Sequence, residues 1–343
     1  MQSAVVDVHN HFVPATFIDF VEGHGERLAT EIVTDAGGNR SFLIQGTARR
    51  PMGPLATSLP ARRARMDAAG IDVQVLSCFP FMMYYEVPAP LGLEVAGLVN
   101  DGLAAAVEGD PERFLALATV PLQDPEAAAR ELERAVGKLG LRGVQVLAGA
   151  PGVSLDGPAL RPFWEAAARL RVPVLVHPFE ARPTGDLARH QLGNLLGNPF
   201  ATALAASLLI LSGLLDELPG LRPLLAHGGG ALPSVIGRLD RGWEGSRRPG
   251  GLGPVGSGLE RPPSAYLDRF HYDTITFSAR SLRNLVELVG AGRVVLGTDH
   301  PAPMELTEPL ALVDAAGLEE EARAAVLGGS ARDLLGLAGA RVP

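Results

Sequence analysis

Eight short apolar runs, several of them β-branched, alternate along the chain with longer segments whose apolar positions recur at helical spacing. The runs are Val5–His9, Val73–Ser77, Phe114–Val120, Gly143–Leu147, Val172–His177, Leu221–His227, Phe270–Asp273 and Val294–Asp299. A strand buried on both faces reads as such a continuous run, and the connection between two parallel strands is long enough to hold a helix. Helices are predicted over Leu91–Glu108, Pro125–Leu139, Leu160–Leu170, Leu232–Trp243, Ser281–Gly290 and Leu318–Leu327. The order and count predict an α/β fold: a single (β/α)8 TIM barrel, one domain over residues 1–343. An open parallel sheet is the alternative topology.

Local chemistry supports some boundaries. Asp124-Pro125 reads as an N-cap followed by proline at the first helical position, and Gly140 stands where a helix stop belongs. Two segments fall outside the repeat. Within an insertion of about residues 14–60, after the first strand, Thr30–Thr34 and Ser41–Gln45 flank the turn-forming stretch 35–39, which predicts a hairpin over the barrel mouth. The segment Gly245–Pro263 is dense in glycine, proline and arginine and reads as either a lid or a surface loop.

Composition narrows the class. With 343 residues, 47% of them hydrophobic and 20% charged, the chain is expected to bury a sizeable core. A net charge of −8 and the lack of a long basic run argue against nucleic acid as a partner. The cluster Arg62, Arg63 and Arg65 reads as the solvated face of a helix. The longest apolar stretch, Phe200–Leu215, is interrupted by Thr202, Ser207, Ser212 and Gly213, and is expected to be a buried helix with surface for a second subunit rather than a bilayer span. No membrane partner is expected. The chain starts almost directly on a strand, without a secretory pattern, so a cytoplasmic location is expected. The single cysteine, Cys78, fits a reducing compartment and reads as buried filler.

Candidate chemistry lies in the placement of the histidines. The chain has 8, and His9, His11, His177 and His227 all fall at or just beyond the C-terminal ends of predicted strands, as does Asp299. Those ends form the active-site face of a barrel. Alternation along a strand puts His9 and His11 on one side, so both can enter the mouth. Imidazoles with a carboxylate suit zinc, iron(II), manganese or cobalt, and an open coordination position makes such a site catalytic.

The chain also resembles the aminocarboxymuconate semialdehyde decarboxylase group of the amidohydrolase superfamily, over nearly its whole length. The similarity is carried by the stretches Asp7–Pro14, Met66–Val75, Val120–Asp124, Val176-His177-Pro178, Ala226–Gly230, Gly237–Asp240, Arg261–Phe270 and Gly297–Pro301. The resemblance implies a zinc site from His9, His11, His177 and Asp299; the ligand set itself also admits manganese or iron. It leaves His227 off the metal as the general acid/base. An imidazole exchanges protons near neutrality, so the division of labour is chemically reasonable.

Binuclear amidohydrolases bridge two ions with a carboxylated lysine or a glutamate at the end of the fourth strand. Here that strand reads Gly143–Leu147, and the sole lysine, Lys138, lies in the preceding helix, so one divalent ion is expected. The family also places one arginine at the mouth, matching Arg50 with Arg49 as its substitute, and another in the helix after His227, matching Arg238. The second reaches the neighbouring subunit's site, which implies a homodimer. Paired guanidiniums suit a small carboxylate substrate. The chain departs from the family at His300, where a tyrosine is usual, and at Phe179-Glu180, where an aromatic residue and Asp are usual.

Three functions stay open at this point. One is metal-dependent, non-oxidative decarboxylation of an aromatic or unsaturated, muconate-type carboxylate. Another is hydrolysis or hydration of an ester, lactone, amide or conjugated acid at the same metal site. A non-catalytic barrel is expected to have lost one of the five strand-end groups, and none is missing.

Overall fold

The computed structural model describes residues 4–149, 152–179 and 184–337. In chain order the strands are β1 (Val6–Phe12), β2 (Thr30–Thr34), β3 (Arg40–Ile44), β4 (Ala48–Pro51), β5 (Val73–Cys78), β6 (Phe114–Ala116), β7 (Val144–Leu147), β8 (Pro173–His177), β9 (Arg222–Leu225), β10 (His271–Asp273) and β11 (Val294–Val295). All but β2, β3 and β4 run parallel, in the order β1-β5-β6 and β11-β10-β9-β8-β7.

Two seams close these sheets into a barrel. At one, Ala118 bridges to Val144 and Gln145 N donates to Ala118 O at 2.8 Å. At the other, Val8 N donates to Leu296 O at 2.9 Å and Thr298 N to His9 O at 3.0 Å. The open-sheet alternative is thereby excluded.

Side chains from β1, β5, β8, β9 and β11 fill the barrel axis with Val6, Val8, Val73, Val75, Leu175, Leu224 and Val295, all at most 2% exposed. The far end is plugged by Leu334, Leu335 and Leu337. The predicted runs Phe114–Val120, Leu221–His227 and Val294–Asp299 are longer than the regular strands they contain, because their last residues leave the ladder to reach the mouth.

The helices match their predicted positions to within a few residues, with instructive exceptions. Asp124 caps Pro125–Gly137 through Ala127 N, as its sequence suggested, and the helix stops before Gly140, whose φ is +72°. The final predicted helix splits: Glu320–Ala324 passes through a π turn, Ala325–Gly329, into Ser330–Leu334. Helical turns begin at Gly193, upstream of the apolar stretch, and run to Leu211. That segment and Ala89–Gly109 are long and apolar enough to cross a membrane by length and composition, unlike the shorter span read from sequence.

In the insertion, β2 and β3 form the expected antiparallel hairpin. A third strand, β4, and the helix Ala15–His24 were not foreseen. The strand β4 carries Arg49 and Arg50.

Arg62 corrects the reading of the arginine cluster as a solvated face. Its side chain is fully buried, while Arg63 is exposed and Arg65 half-buried. Helical spacing places Arg62 on the same face as Met66, which packs into the core.

Candidate active site at the barrel mouth

The C-terminal ends of the strands deliver five side chains to one point. His9 and His11 come from β1, His177 ends β8, His227 follows β9 and Asp299 follows β11. One potential ligand atom from each of His9, His11, His177 and Asp299 lies within 4.8 Å of all the others, and all four residues are buried.

The hydrogen bonds set the imidazole tautomers. His9 Nδ1 donates to Asp273 Oδ2 at 2.6 Å, His11 Nδ1 to Cys78 O at 3.1 Å and His177 Nδ1 to Pro178 O at 2.7 Å. With Nδ1 committed in each, the Nε2 lone pair is left to face the common point. His9 Nε2 and His177 Nε2 are buried without any hydrogen-bond partner among the described residues. Such orphaned acceptors are uncommon in protein interiors, and a cation satisfies them.

Electrostatics agree. Burial pushes His177 down to about 3 and lowers His11 as well, so both are held as neutral imidazoles, the form that coordinates metal. Burial alone would raise Asp299; the imidazoles packed around it, with His11 Nε2 nearest at 2.9 Å, outweigh it and hold the carboxyl well below the usual range. Burial opposes a charge on His9 too, yet Asp273 and Asp299 lift it to about 10. These two carboxylates favour a cation here, which a metal ion supplies in place of a proton.

His227 stands beside this group rather than within it. Its Nε2 is 3.7 Å from Asp299 Oδ2, and its ring centroid lies 5.5 Å from that of His9 and 5.3 Å from that of His177. Both His227 and Asp299 have positive φ, 56° and 58°. Non-glycine residues held in this region are strained and cluster at functional sites. Asp273 holds the His227 turn, accepting from His227 N at 2.9 Å, Gly228 N at 2.8 Å and Ile275 N at 3.0 Å. The three glycines after His227 fit this turn, and a Cβ at Gly230 would lie 2.1 Å from Pro199 O.

Sequence reasoning gave Asp273 no role, although an acidic residue ending a strand at the active-site face was a usable signal. Gln145 on β7 occupies the position considered for a bridging group. It is buried, donates to Cys78 O at 3.2 Å and offers no carboxylate, consistent with one ion. Burial pushes the Cys78 thiol up to about 12, leaving it inert.

A cavity of about 1310 Å³ opens above these residues. His11, His177, His227 and Asp299 lie on its lining, with Phe79, Phe81, Phe179 and Phe277 among the apolar walls. Arg49 and Arg50 line it too, and Arg50 Cζ sits 6.0 Å from the centre of the Phe179 ring. Arg238 is exposed on the helix Leu232–Ser246 and is not part of this lining. The segment Gly245–Pro263 contributes nothing to the lining either, so the lid alternative finds no support. Arg247 instead stacks on Trp243 at 3.8 Å. His300 bonds Glu305 at 2.5 Å and faces away from the cavity, against the helix that carries Arg65 and Met66. Glu180 falls outside the described residues.

Comparison with known proteins places the chain. The sequence model of the amidohydrolase family matches residues 6–337. The 2-amino-3-carboxymuconate-6-semialdehyde decarboxylase of Dictyostelium discoideum is 31% identical, over 98% of this chain and 92% of that protein. The crystal structure of 2,6-dihydroxybenzoate decarboxylase complexed with 2,6-dihydroxybenzoate aligns with a TM-score of 0.78 at 29% identity, covering 99% of this chain and 100% of the other. The dihydroxybenzoic acid decarboxylase of Polaromonas sp. JS666, with bound manganese and the inhibitor 2-nitroresorcinol, aligns at 0.79 and 25% identity over 99% of both chains. The chain belongs to the amidohydrolase family, among its metal-dependent decarboxylases.

Proposed function

We propose that this protein removes a carboxylate, without oxidation, from a small aromatic or muconate-type acid, using one divalent ion held by His9, His11, His177 and Asp299. The observation that carries the reading is the convergence of those four groups, with two orphaned imidazole nitrogens, beneath an aromatic-walled cavity that His11, His177 and Asp299 line. The relatives support decarboxylation over the other reactions that the residues left open, since those named are decarboxylases. Zinc is the proposed ion on the donor set; manganese also suits these donors and is the ion bound in the Polaromonas relative.

A divalent ion at this site supplies Lewis-acid polarisation of substrate oxygens. The chain's own groups do the rest. Phe79 and Phe179, both on the cavity lining, exclude water from around an unsaturated ring. Arg50, with Arg49 beside it, offers guanidinium donors to an anionic group on the substrate. His227 delivers a proton to the ring carbon as its bond to the carboxylate breaks. The bonding electrons return to that carbon, carbon dioxide leaves, and His227 regains its proton from solvent.

The working unit is proposed to be a cytoplasmic homodimer. Phe200 and Leu204 are 59% and 62% exposed on the apolar helix Asn198–Leu211, which packs against the helix bearing Arg238. An exposed Arg238 is free to meet a neighbouring subunit.

The direct experiment incubates the metal-loaded protein with hydroxybenzoates, aminobenzoates and muconate-type acids while following carbon dioxide release. Release from at least one acid, abolished in His227→Ala, is expected. A protein that releases none but hydrolyses a lactone or ester would replace this reading with the hydrolase one.

A further inference from the structure

Arg62 is buried completely, yet no carboxylate among the described residues hydrogen-bonds to it. Its Nη1 donates to Asn10 Oδ1 and to Gln74 Oε1, both at 3.0 Å. Its Nη2 donates to Leu55 O at 3.0 Å and to the carbonyl of His11. Gln74 passes the interaction on, donating from Nε2 to Asp7 Oδ2 at 2.8 Å. Thr298 Oγ1 donates to the same Asp7 oxygen at 2.8 Å, and His9 N donates to Asp7 Oδ1 at 3.2 Å. His300 N donates to Thr298 Oγ1 at 3.2 Å. Asp7, Asn10, Arg62, Gln74 and Thr298 are all at most 3% exposed.

The network reaches the backbone on either side of three of the four grouped residues. Asn10 lies between His9 and His11, and Thr298 precedes Asp299. Asp7 and Arg62 are both 0% exposed, so the network withdraws both polar groups from water. Apolar residues of similar volume usually stabilise a fold as well as or better than a buried ion pair. A full charge at the centre of this network therefore needs a reason other than stability, and its contacts supply one. It fixes two backbone segments from opposite sides of a barrel seam, β1 and residues 298–300, which must be in register for their side chains to meet one ion.

We propose that Arg62, Gln74 and Asp7 form a positioning network for the metal centre, a buried guanidinium and carboxyl group linked through the Gln74 amide, that sets His9, His11 and Asp299 in place. The inference rests on the metal centre and not on which reaction it performs.

The test measures divalent-metal affinity of the apoprotein by competition with a chromophoric chelator, and ligand geometry by the visible absorption of the Co2+ form. Arg62→Lys keeps the charge but loses the planar fork, and Gln74→Met keeps the length but loses the relay. Both are expected to bind metal ~10–100-fold more weakly, the usual effect of removing groups that orient ligands, and to show altered Co2+ bands. Leu132→Ala, in the helix Pro125–Gly137 away from the mouth, is the control; it should lower the unfolding midpoint and leave affinity and spectrum unchanged.

Wild-type affinity and spectrum in both network variants would overturn the proposal, as would an equal loss of affinity in Leu132→Ala. Should Arg62→Lys fail to fold, Gln74→Met decides alone. If the wild-type chain itself binds no divalent ion, the metal-centre reading fails first and takes the inference with it.

Discussion

Replacing Asp273 by asparagine exchanges one carboxylate oxygen for an NH2 group and sets the whole mouth against itself. Asp273 accepts four hydrogen bonds: Oδ2 takes His9 Nδ1 at 2.6 Å and His227 N at 2.9 Å, and Oδ1 takes Gly228 N at 2.8 Å and Ile275 N at 3.0 Å. An amide has one acceptor oxygen, so its NH2 must face one of these donor pairs. If it faces Gly228 and Ile275, the turn that holds His227 loses its anchor. If it faces His9, that imidazole must accept at Nδ1 and carry its proton on Nε2, which then blocks the metal position. The first orientation leaves two buried donors unpaired and the second leaves one, at ~1.5–3 kcal/mol each before relaxation. A domain of ordinary stability, about 5–15 kcal/mol, can survive that loss with a lowered melting temperature. Metal affinity should fall ~10–100-fold, as for other groups that orient metal-binding histidines. The assay is chelator competition on the apoprotein, paired with urea denaturation. Wild-type metal affinity in Asp273→Asn would refute the claim that this carboxylate sets the His9 tautomer.

His227→Ala should keep its ion and lose ~10²–10⁴-fold in turnover, because a general acid is removed and no ligand is; metal loss comparable to that of His177→Ala, read by elemental analysis, would reassign His227 to the metal. Gly230→Ala should cost at least about 1–3 kcal/mol by urea denaturation, since the residue has φ +60° and its new Cβ would overlap Pro199 O, and a change near zero would mean the turn differs from the one described. Mixing inactive Arg238→Ala and His227→Ala proteins under subunit exchange should restore some carbon dioxide release, because a heterodimer regains one intact site. Persistently inactive mixtures, or a monomer in solution, would end the proposal that Arg238 acts across an interface.

The strands and the five strand-end groups were legible because both signals are local. A run such as Val172–His177 announces a buried strand, and its last residue lands at the mouth by the rules of the barrel alone. Asp273 was readable as a strand end but not as a partner of His9, which lies 264 residues away and meets it only once the barrel closes. Arg62 was misread because charge outweighed period. Leu59, Arg62, Met66 and Ala69 share one helix face, and that spacing placed the guanidinium toward the core. Strand β4 was missed since Ala48-Arg49-Arg50-Pro51 has no strand pattern of its own and pairs only because β3 presents an edge.

The central claim is that one divalent ion at His9, His11, His177 and Asp299 makes this chain a decarboxylase. Apoprotein titrated with Zn2+ or Mn2+, while carbon dioxide release from an accepted acid is followed, tests it most directly. Activity should rise linearly and level off at about one ion per chain, with neither binding nor activity in His177→Ala at the same metal concentration. A plateau at two ions, or full activity in the metal-free protein, would contradict the account.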